Sequence, residues 1–324
     1  MTDIIIHLGA NKTGSSSIQR FIQKNTEKLR DLNYIIPDSK LGLGTSITGE
    51  QVFALQEFIG GGDKSAAKLK KKIDALIDSR ESEDQTVLIS AENMGTTQGA
   101  LLFKKVLAKR KAKVIFYIRR QDELIASSWQ QWHSKKEVDY DAWLIDAIRT
   151  LGHWEPIINA WEKVVGLENI ALEVFERSAF TDGNIIVDFV EKIGAGQHSD
   201  ELELVFKDAN PTYLNYITPL VAGNDRIFSN IHDNEFYRMV GTLTGDKFSK
   251  GKKYSLMSQR QRENIMKYFG NQNERVRAKF FPDRERLFVD IDHNKYHYAS
   301  KTEMQALQMR FMTTLLYEIG RKIV

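Results

Sequence analysis

The sequence predicts an α/β fold: a central parallel sheet flanked by helices, with a mainly helical C-terminal portion. Three observations carry this expectation. Short, near-continuous apolar runs alternate with helical patterns, as in a parallel sheet covered on both faces. The first run leads through a small, polar, glycine-containing loop into an amphipathic helix. After about residue 205 the strand pattern gives way to helical periodicity.

Asp3-Ile4-Ile5-Ile6-His7-Leu8 is apolar with no helical period and reads as the first strand. Ile18, Phe21, Ile22, Leu29 and Leu32 then recur at helical spacing, predicting a helix over 14–31. Asn33-Tyr34-Ile35-Ile36, stopped by Pro37, reads as an edge strand. The glycine-rich segment 39–63 reads as a long loop or lid, and such loops are often functional. Further strands are expected at 86–90, 113–118 and 169–175. Helices are expected near 64–79, 98–110, 121–136, 139–149, 155–164 and 184–193, then at 257–280 and 301–320. No composition break marks a domain boundary. A single domain over 1–324 is expected, with a nucleotide-binding core over 1–195 and a helical portion over 205–324.

The net charge of +3 is too small to imply nucleic-acid binding, and the lysine runs at 68–72 and 104–113 read as solvated helix faces. The chain has no cysteine, which excludes disulfides, thiolate metal sites and a thiol nucleophile. Asp3 and Gly9 confine the first apolar run, so no signal peptide is expected. No stretch is apolar for long enough to span a membrane, and a cytoplasmic location is the default expectation.

The loop Gly9-Ala10-Asn11-Lys12-Thr13-Gly14-Ser15-Ser16-Ser17 has the composition of a phosphate cradle. Amides at a helix start and the helix dipole favour an anion, and Lys12 adds a full positive charge. A nucleoside-triphosphate loop needs Gly-x4-Gly followed by Lys and then Ser or Thr. Gly9 and Gly14 keep that spacing, but Ser15 stands where the lysine belongs. This argues against a magnesium-dependent ATPase or GTPase, while the loop still suits a 5′-phosphate. A plain polar turn capping a helix is the alternative.

Ligands of open parallel sheets bind beyond the strands' carboxyl ends. That rule collects Gly9–Ser17, Ser90–Thr97 and Arg119–Ser128. Arg119 and Arg120 can grip a phosphate with forked hydrogen bonds, and Ser127 or Ser128 can complete the cradle. The alternative is ion pairing with Asp122 or Glu123, and the expectation is one arginine for each task. Glu92, delivered by the strand 86–90, can take a proton from an acceptor hydroxyl, cap a helix, or pair with Lys12.

A strand followed by Lys-Thr-Gly-Ser-Ser-Ser, then a strand followed by Arg with Ser eight residues on, resembles the sulfotransferases that use 3′-phosphoadenosine 5′-phosphosulfate. The resemblance extends to bacterial sulfotransferase-like proteins in Glu-Val-Phe-Glu-Arg at 173–177, the helix Ile186 to Gly194, and Asn-Glu-Arg-Val…Phe-Phe at 273–281. It implies a P-loop-like three-layer fold and 3′-phosphoadenosine 5′-phosphosulfate as co-substrate, with no metal. It implies that Asn11, Lys12, Thr13, Gly14, Ser15, Ser16 and Ser17 bind the 5′-phosphosulfate, with Lys12 stabilising the leaving phosphate. Arg119 and Ser127, with Arg120 and Ser128 beside them, would hold the 3′-phosphate. Glu92 stands where the family places its base. The family's Arg-Lys-Gly segment has a partial counterpart in Lys250-Gly251-Lys252-Lys253. Asn11 and Ile18 depart from the proline and tryptophan of the steroid and phenol enzymes.

His7, ending the first strand, and His133 are the second choices for the base. His293 and His297 have helical ligand spacing, but turn-like residues surround them and no metal site is expected. All five tryptophans fall between Trp129 and Trp161; packing among helices is favoured over an aromatic wall for a sugar. The leading expectation is a sulfotransferase acting on a hydroxyl of a carbohydrate, glycolipid or other small acceptor. A nucleotide or small-molecule kinase and a non-catalytic nucleotide-binding protein are the alternatives.

Overall fold

The structure, a computed structural model, describes residues 2–10, 12–204, 215–245 and 253–323. Its elements in chain order are β1 (Ile4–Gly9), α1 (Ser15–Lys24), α2 (Thr26–Asp31), β2 (Tyr34–Ile35), α3 (Val52–Gln56), α4 (Gly62–Asp78) and β3 (Thr86–Glu92). Then come α5 (Thr97–Val106), β4 (Ala112–Ile118), α6 (Gln121–Gln131), α7 (Tyr140–Thr150), α8 (Trp154–Val165), β5 (Ile170–Val174) and α9 (Ile185–Ile193). The remainder is α10 (Thr218–Val221), α11 (Glu235–Thr244), β6 (Lys253–Tyr254), α12 (Gln259–Phe280), β7 (Tyr296–His297) and α13 (Lys301–Ile323). The chain clusters into two compact units. The first holds Met1–Arg119, His153–Asp208 and Gln272–Leu287; the second holds Arg120–Gly152, Ala209–Asn271 and Phe288–Val324.

The first unit contains a five-stranded sheet in the order β2-β3-β1-β4-β5, parallel throughout. Strand side chains alternate between faces, so every second residue shares a layer. Ile5, Leu88, Ile115 and Tyr117 meet Ile18, Phe21 and Ile22 of α1 and Phe189, Val190 and Ile193 of α9. Burying each such side chain stabilises the fold by about 1.5–3 kcal/mol. Helices α4, α5 and α8 form the opposite layer, where Phe116 meets Trp154 and Phe103 meets Trp161. A sheet between two helical layers, with strand, glycine loop and helix at its centre, is the expected P-loop-like three-layer architecture.

Local chemistry places the helix ends. Thr96 accepts a hydrogen bond from the Gly99 amide at the start of α5, and Asn184 accepts one from Ile186 at the start of α9. Helix α9 stops at Gly194, whose φ of 97° is left-handed. The helix expected over 14–31 breaks at Asn25. Its side-chain amide donates to the Phe21 and Glu203 carbonyls, and its Oδ1 accepts from the Glu203 amide. That anchor lies 178 residues away in sequence, so no local pattern announces it. The helix expected over 121–136 ends at Gln131, because Trp132 leaves the helical region. The segment 39–63 is mostly loop but contains α3.

In the second unit, Ile125, Leu144, Ala147, Met257, Ile265 and Phe269 form one apolar cluster, drawing on α6, α7 and α12. Tyr216, Ile217, Val240 and Phe311 form another, drawing on α11 and α13. The helical spacing of His293 and His297 is corrected: His293 lies in a single turn of 3₁₀ helix, and His297 in β7. His297 pairs with Glu303, and His293 shares a hydrogen bond with Tyr298. Among the described residues there is no group of three or more potential metal ligands of the His, Cys, Asp or Glu type. No described helix is long and apolar enough to cross a membrane.

Candidate functional site

Gly9, the last residue of β1, lies opposite Glu92, the last residue of β3. A Cβ on Gly9 would sit 2.8 Å from the Glu92 Cα and 2.8 Å from the Ser15 Oγ, so only glycine lets the two strand ends close up. Glu92 shares strand parity with Leu88, and Arg119 with Ile115 and Tyr117, all on the α1 layer. The residues that leave β1, β3 and β4 at the carboxyl edge therefore converge on one face.

The loop between β1 and α1 is folded by its own polar atoms. Thr13 donates through its hydroxyl to the Ala10 carbonyl at 2.7 Å, and the Ser15 hydroxyl donates to the same oxygen at 3.4 Å. The Ser17 and Ile18 amides both donate to the Gly14 carbonyl. Among the described residues no side chain caps α1, and the Ser15 and Ser16 amides lie at its first turn next to the loop. Gly14 has a φ of 81°, and a Cβ there would lie 2.5 Å from Ile185 Cδ1 and 2.9 Å from Phe175 Cε2. Lys12 is left-handed at a φ of 63°, a strain of about 1–3 kcal/mol of the kind that clusters at functional sites. Ser16 is exposed and Ser17 half-buried. Asn11 lies outside the described residues.

Arg119 reaches this loop. Its Nη1 donates to the Lys12 carbonyl at 3.0 Å, and its guanidinium lies 5.6 Å from the centre of the Phe175 ring. Its own carbonyl accepts from Trp154 Nε1 at 2.9 Å. Another indole on α8, Trp161, donates to the Met94 carbonyl just beyond β3. Two buried tryptophans thus brace the segments that leave β3 and β4. Burial and the Arg119 charge lower the Lys12 ammonium below its ordinary pKa, and Glu92 pulls it back up. Burial raises the Glu92 carboxyl above the ordinary glutamate range. The Glu50 charge raises it further, while Lys12 opposes both.

Glu50 and Gln51 are the residues that sequence reasoning missed. Gln51 donates its amide to the Ser90 carbonyl at 2.9 Å and accepts the Ser90 amide on its Oε1 at 3.0 Å. Its Nε2 donates to the Pro37 carbonyl. Gln51 therefore continues the ladder of β3 beyond the short β2, using one backbone and one side-chain partner. Glu50 precedes Gln51 in this segment, and burial raises its carboxyl above the ordinary glutamate range. A glutamine inside a loop has no sequence signature for this task; only its partner 39 residues away reveals it.

His7 is fully buried between Tyr117 and Phe189 and shares a 2.8 Å hydrogen bond through Nδ1 with Ser90 Oγ. Burial pushes it down to about 3, and its Nε2 has no partner among the described residues. It lies in the core layer below the strand ends.

Arg120, Ser127, Ser128 and His133 belong to the second unit. Arg120 is buried and forked onto Asp122 at 2.6 and 3.2 Å, while Arg262 takes the same carboxylate at 2.6 Å. The adjacent arginines thus part: Arg119 turns to the Lys12 loop, Arg120 to a buried ion cluster. Ser127 donates back to the Glu123 and Leu124 carbonyls of its own helix. Ser128 is buried, and its hydroxyl has no partner among the described residues. His133 stands 5.0 Å from the Trp143 ring centre, and burial lowers its pKa. Trp129 is fully buried, whereas Trp132 and Trp143 are half-buried. Of Lys250-Gly251-Lys252-Lys253, all but Lys253 lie outside the described residues.

No protein-family model matches the chain. It is 24% identical over 206 residues to an uncharacterized protein of Archaeoglobus fulgidus, covering 63% of this chain and 52% of that one. It is 30% identical over 113 residues to Sulfotransferase 2A6 of Rattus norvegicus, covering 33% of this chain and 40% of the relative. The chain thus spans about half or less of the length of these curated relatives. A sulfotransferase structure from Alicyclobacillus acidocaldarius aligns with a TM-score of 0.43 at 13% identity, over 86% of this chain and 95% of that one. The mouse sulfotransferase SULT7A1, solved with PAP, aligns with a TM-score of 0.39 at 10% identity, over 86% of this chain and 88% of that one.

Proposed function

We propose that the chain is a sulfotransferase that moves a sulfonate from 3′-phosphoadenosine 5′-phosphosulfate to a hydroxyl of a carbohydrate, glycolipid or other small acceptor. The observation that carries this reading is the convergence of Lys12, Arg119 and Glu92 on one face of the sheet's carboxyl edge. Two cations and uncapped helix amides suit the phosphates of the donor, and a carboxyl with raised proton affinity suits a base. The partial identity to Sulfotransferase 2A6 supports the same reading.

In the proposed step the acceptor oxygen bonds to sulfur as the bond from sulfur to the 5′-phosphate oxygen breaks. The breaking bond's electron pair stays on that phosphate oxygen, and the acceptor proton passes to Glu92. Lys12 and the first amides of α1 stabilise the charge that builds on the phosphate, as preorganised donors do in phosphoryl transfer. Arg119 fixes the Lys12 carbonyl and adds a second positive charge to the cradle.

Thermal shift with adenosine nucleotides tests the reading. At a hundredfold excess over Kd, adenosine 3′,5′-bisphosphate should stabilise the protein by about 2.7 kcal/mol, without magnesium. ATP, lacking the 3′-phosphate, should do far less. Equal shifts with ATP, or a requirement for magnesium, would sink the proposal.

A further inference from the structure

Helix α8 opens on Trp154, and its buried residues Trp154, Ile158 and Trp161 are spaced to share one face. The Trp154 ring is 3% exposed and stands edge-on to Phe116 of β4, with ring centres 5.9 Å apart. Its Nε1 donates to the Arg119 carbonyl at 2.9 Å, one residue beyond the end of β4. The ladder between β4 and β5 runs out just before that point, where the Phe175 amide donates to the Ile118 carbonyl at 2.7 Å. Arg119 in turn donates through Nη1 to the Lys12 carbonyl at 3.0 Å. Trp154, Arg119 and Lys12 are thus joined in series, all within the first unit.

We propose that Trp154 is a positioning residue for the sulfonate donor: its indole N–H fixes the Arg119 main chain, and with it the guanidinium that holds the Lys12 carbonyl. The inference rests on the reading of the Lys12 loop as the donor's phosphate site. Lys12 is left-handed at a φ of 63°, and such backbone persists only where its surroundings over-determine it. The Arg119 side chain supplies that restraint. A long side chain with much rotamer freedom restrains only as well as its own main chain is held. Past the end of the strand ladder, the indole holds it. An indole carries a single N–H on a rigid ring, and a buried carbonyl that loses such a partner is costly. Trp154 therefore acts through Arg119 rather than on the nucleotide.

Trp154→Phe keeps an aromatic ring against Phe116 and removes the N–H. It should weaken adenosine 3′,5′-bisphosphate binding about tenfold and lower kcat/KM with it. Amide hydrogen exchange over Lys12–Ser17 should quicken, a readout that needs no transfer. Tyr34→Phe is the control: it also removes a buried 2.9 Å bond to a main-chain carbonyl, that of Ile193, and should leave both readouts unchanged. In an Arg119→Ala background, Trp154→Phe should cost little further affinity, because two residues acting through one guanidinium are not additive. Trp154→Tyr, a large ring without the indole N–H, carries the comparison should Trp154→Phe fail to fold. Unchanged affinity or exchange in the folded variants overturns the proposal, and so do losses that add in full. If exchange quickens but the wild-type protein binds no bisphosphate, the sulfotransferase reading falls and takes the positioning role with it.

Discussion

The Arg119 guanidinium donates a 3.0 Å hydrogen bond to the main-chain carbonyl of Lys12. One cation thereby holds the backbone that carries another, and the loop keeps both charges at the end of β1. After burial, repulsion from Arg119 helps lower the Lys12 ammonium.

On the proposed function, Lys12→Ala should spare nucleotide affinity more than turnover, because the amides of α1 would still be there to hold a 5′-phosphate. Loss of one transition-state donor lowers kcat by about 10²–10³-fold. A kcat near wild type with any sulfated acceptor would remove Lys12 from its assigned role.

Glu92→Gln keeps the side chain's shape and should abolish transfer while leaving bisphosphate binding intact. Its pH behaviour has a definite sign. The folded pKa is raised, so wild-type activity should fall as pH drops through a value above the ordinary 4.5 of glutamate. In that window the folded state binds the proton that the unfolded state has released, so this carboxyl opposes folding increasingly as pH rises through it. Glu92→Gln should accordingly raise Tm at neutral pH, with the gain vanishing in acid. A lower Tm at neutral pH would contradict the assigned environment.

His7 should act in the opposite direction. Its folded pKa is depressed to about 3 from 6.5, so the unfolded state binds the extra proton between those values. The neutral, buried ring is fully compatible with folding above 6.5, and stability should fall as pH drops from 6.5 toward 3. Urea midpoints across that range check this: His7→Gln should flatten the acid decline. An equally steep decline would assign acid sensitivity to other groups.

Gly14→Ala combines a left-handed backbone with a Cβ 2.5 Å from Ile185 Cδ1. It should cost about 1–3 kcal/mol of stability and should also weaken bisphosphate binding, since the loop must move away from α9. Circular dichroism melts and thermal shift measure both effects. Unchanged values would show that the loop bends freely at this point.

Asp122→Ala addresses the buried ions of the second unit. It strands the Arg120 and Arg262 guanidinium groups, both nearly inaccessible, and should destabilise by about 3–5 kcal/mol. A chemical-denaturation midpoint unchanged within error would mean that Glu123, 3.5 Å from Arg262 Nη1, replaces it fully.

What the sequence by itself determined is local. Runs such as Ile4–Ile6 and Val114–Ile118 are apolar at every position, and a strand buried on both faces requires that. Gly9, Lys12 and Gly14 mark a small, polar, cationic loop between a strand and a helix, a composition legible in consecutive residues. The rule that ligands gather at strand carboxyl ends already collected Gly9–Ser17, Ser90–Thr97 and Arg119–Ser128.

Tertiary structure decided the rest. The pairing of Gly9 with Glu92 depends on strand register across 83 residues, as between His7 and Ser90. The kink at Asn25 depends on Glu203, and the placing of Glu50 depends on Gln51 finding Ser90. That one arginine would pair with Asp122 was expected; that Arg119 is the one to reach the Lys12 carbonyl depends on a partner 107 residues away. Each is a hydrogen bond or ion pair whose partners become neighbours only once the chain has folded, so neither partner's local sequence carries the signal.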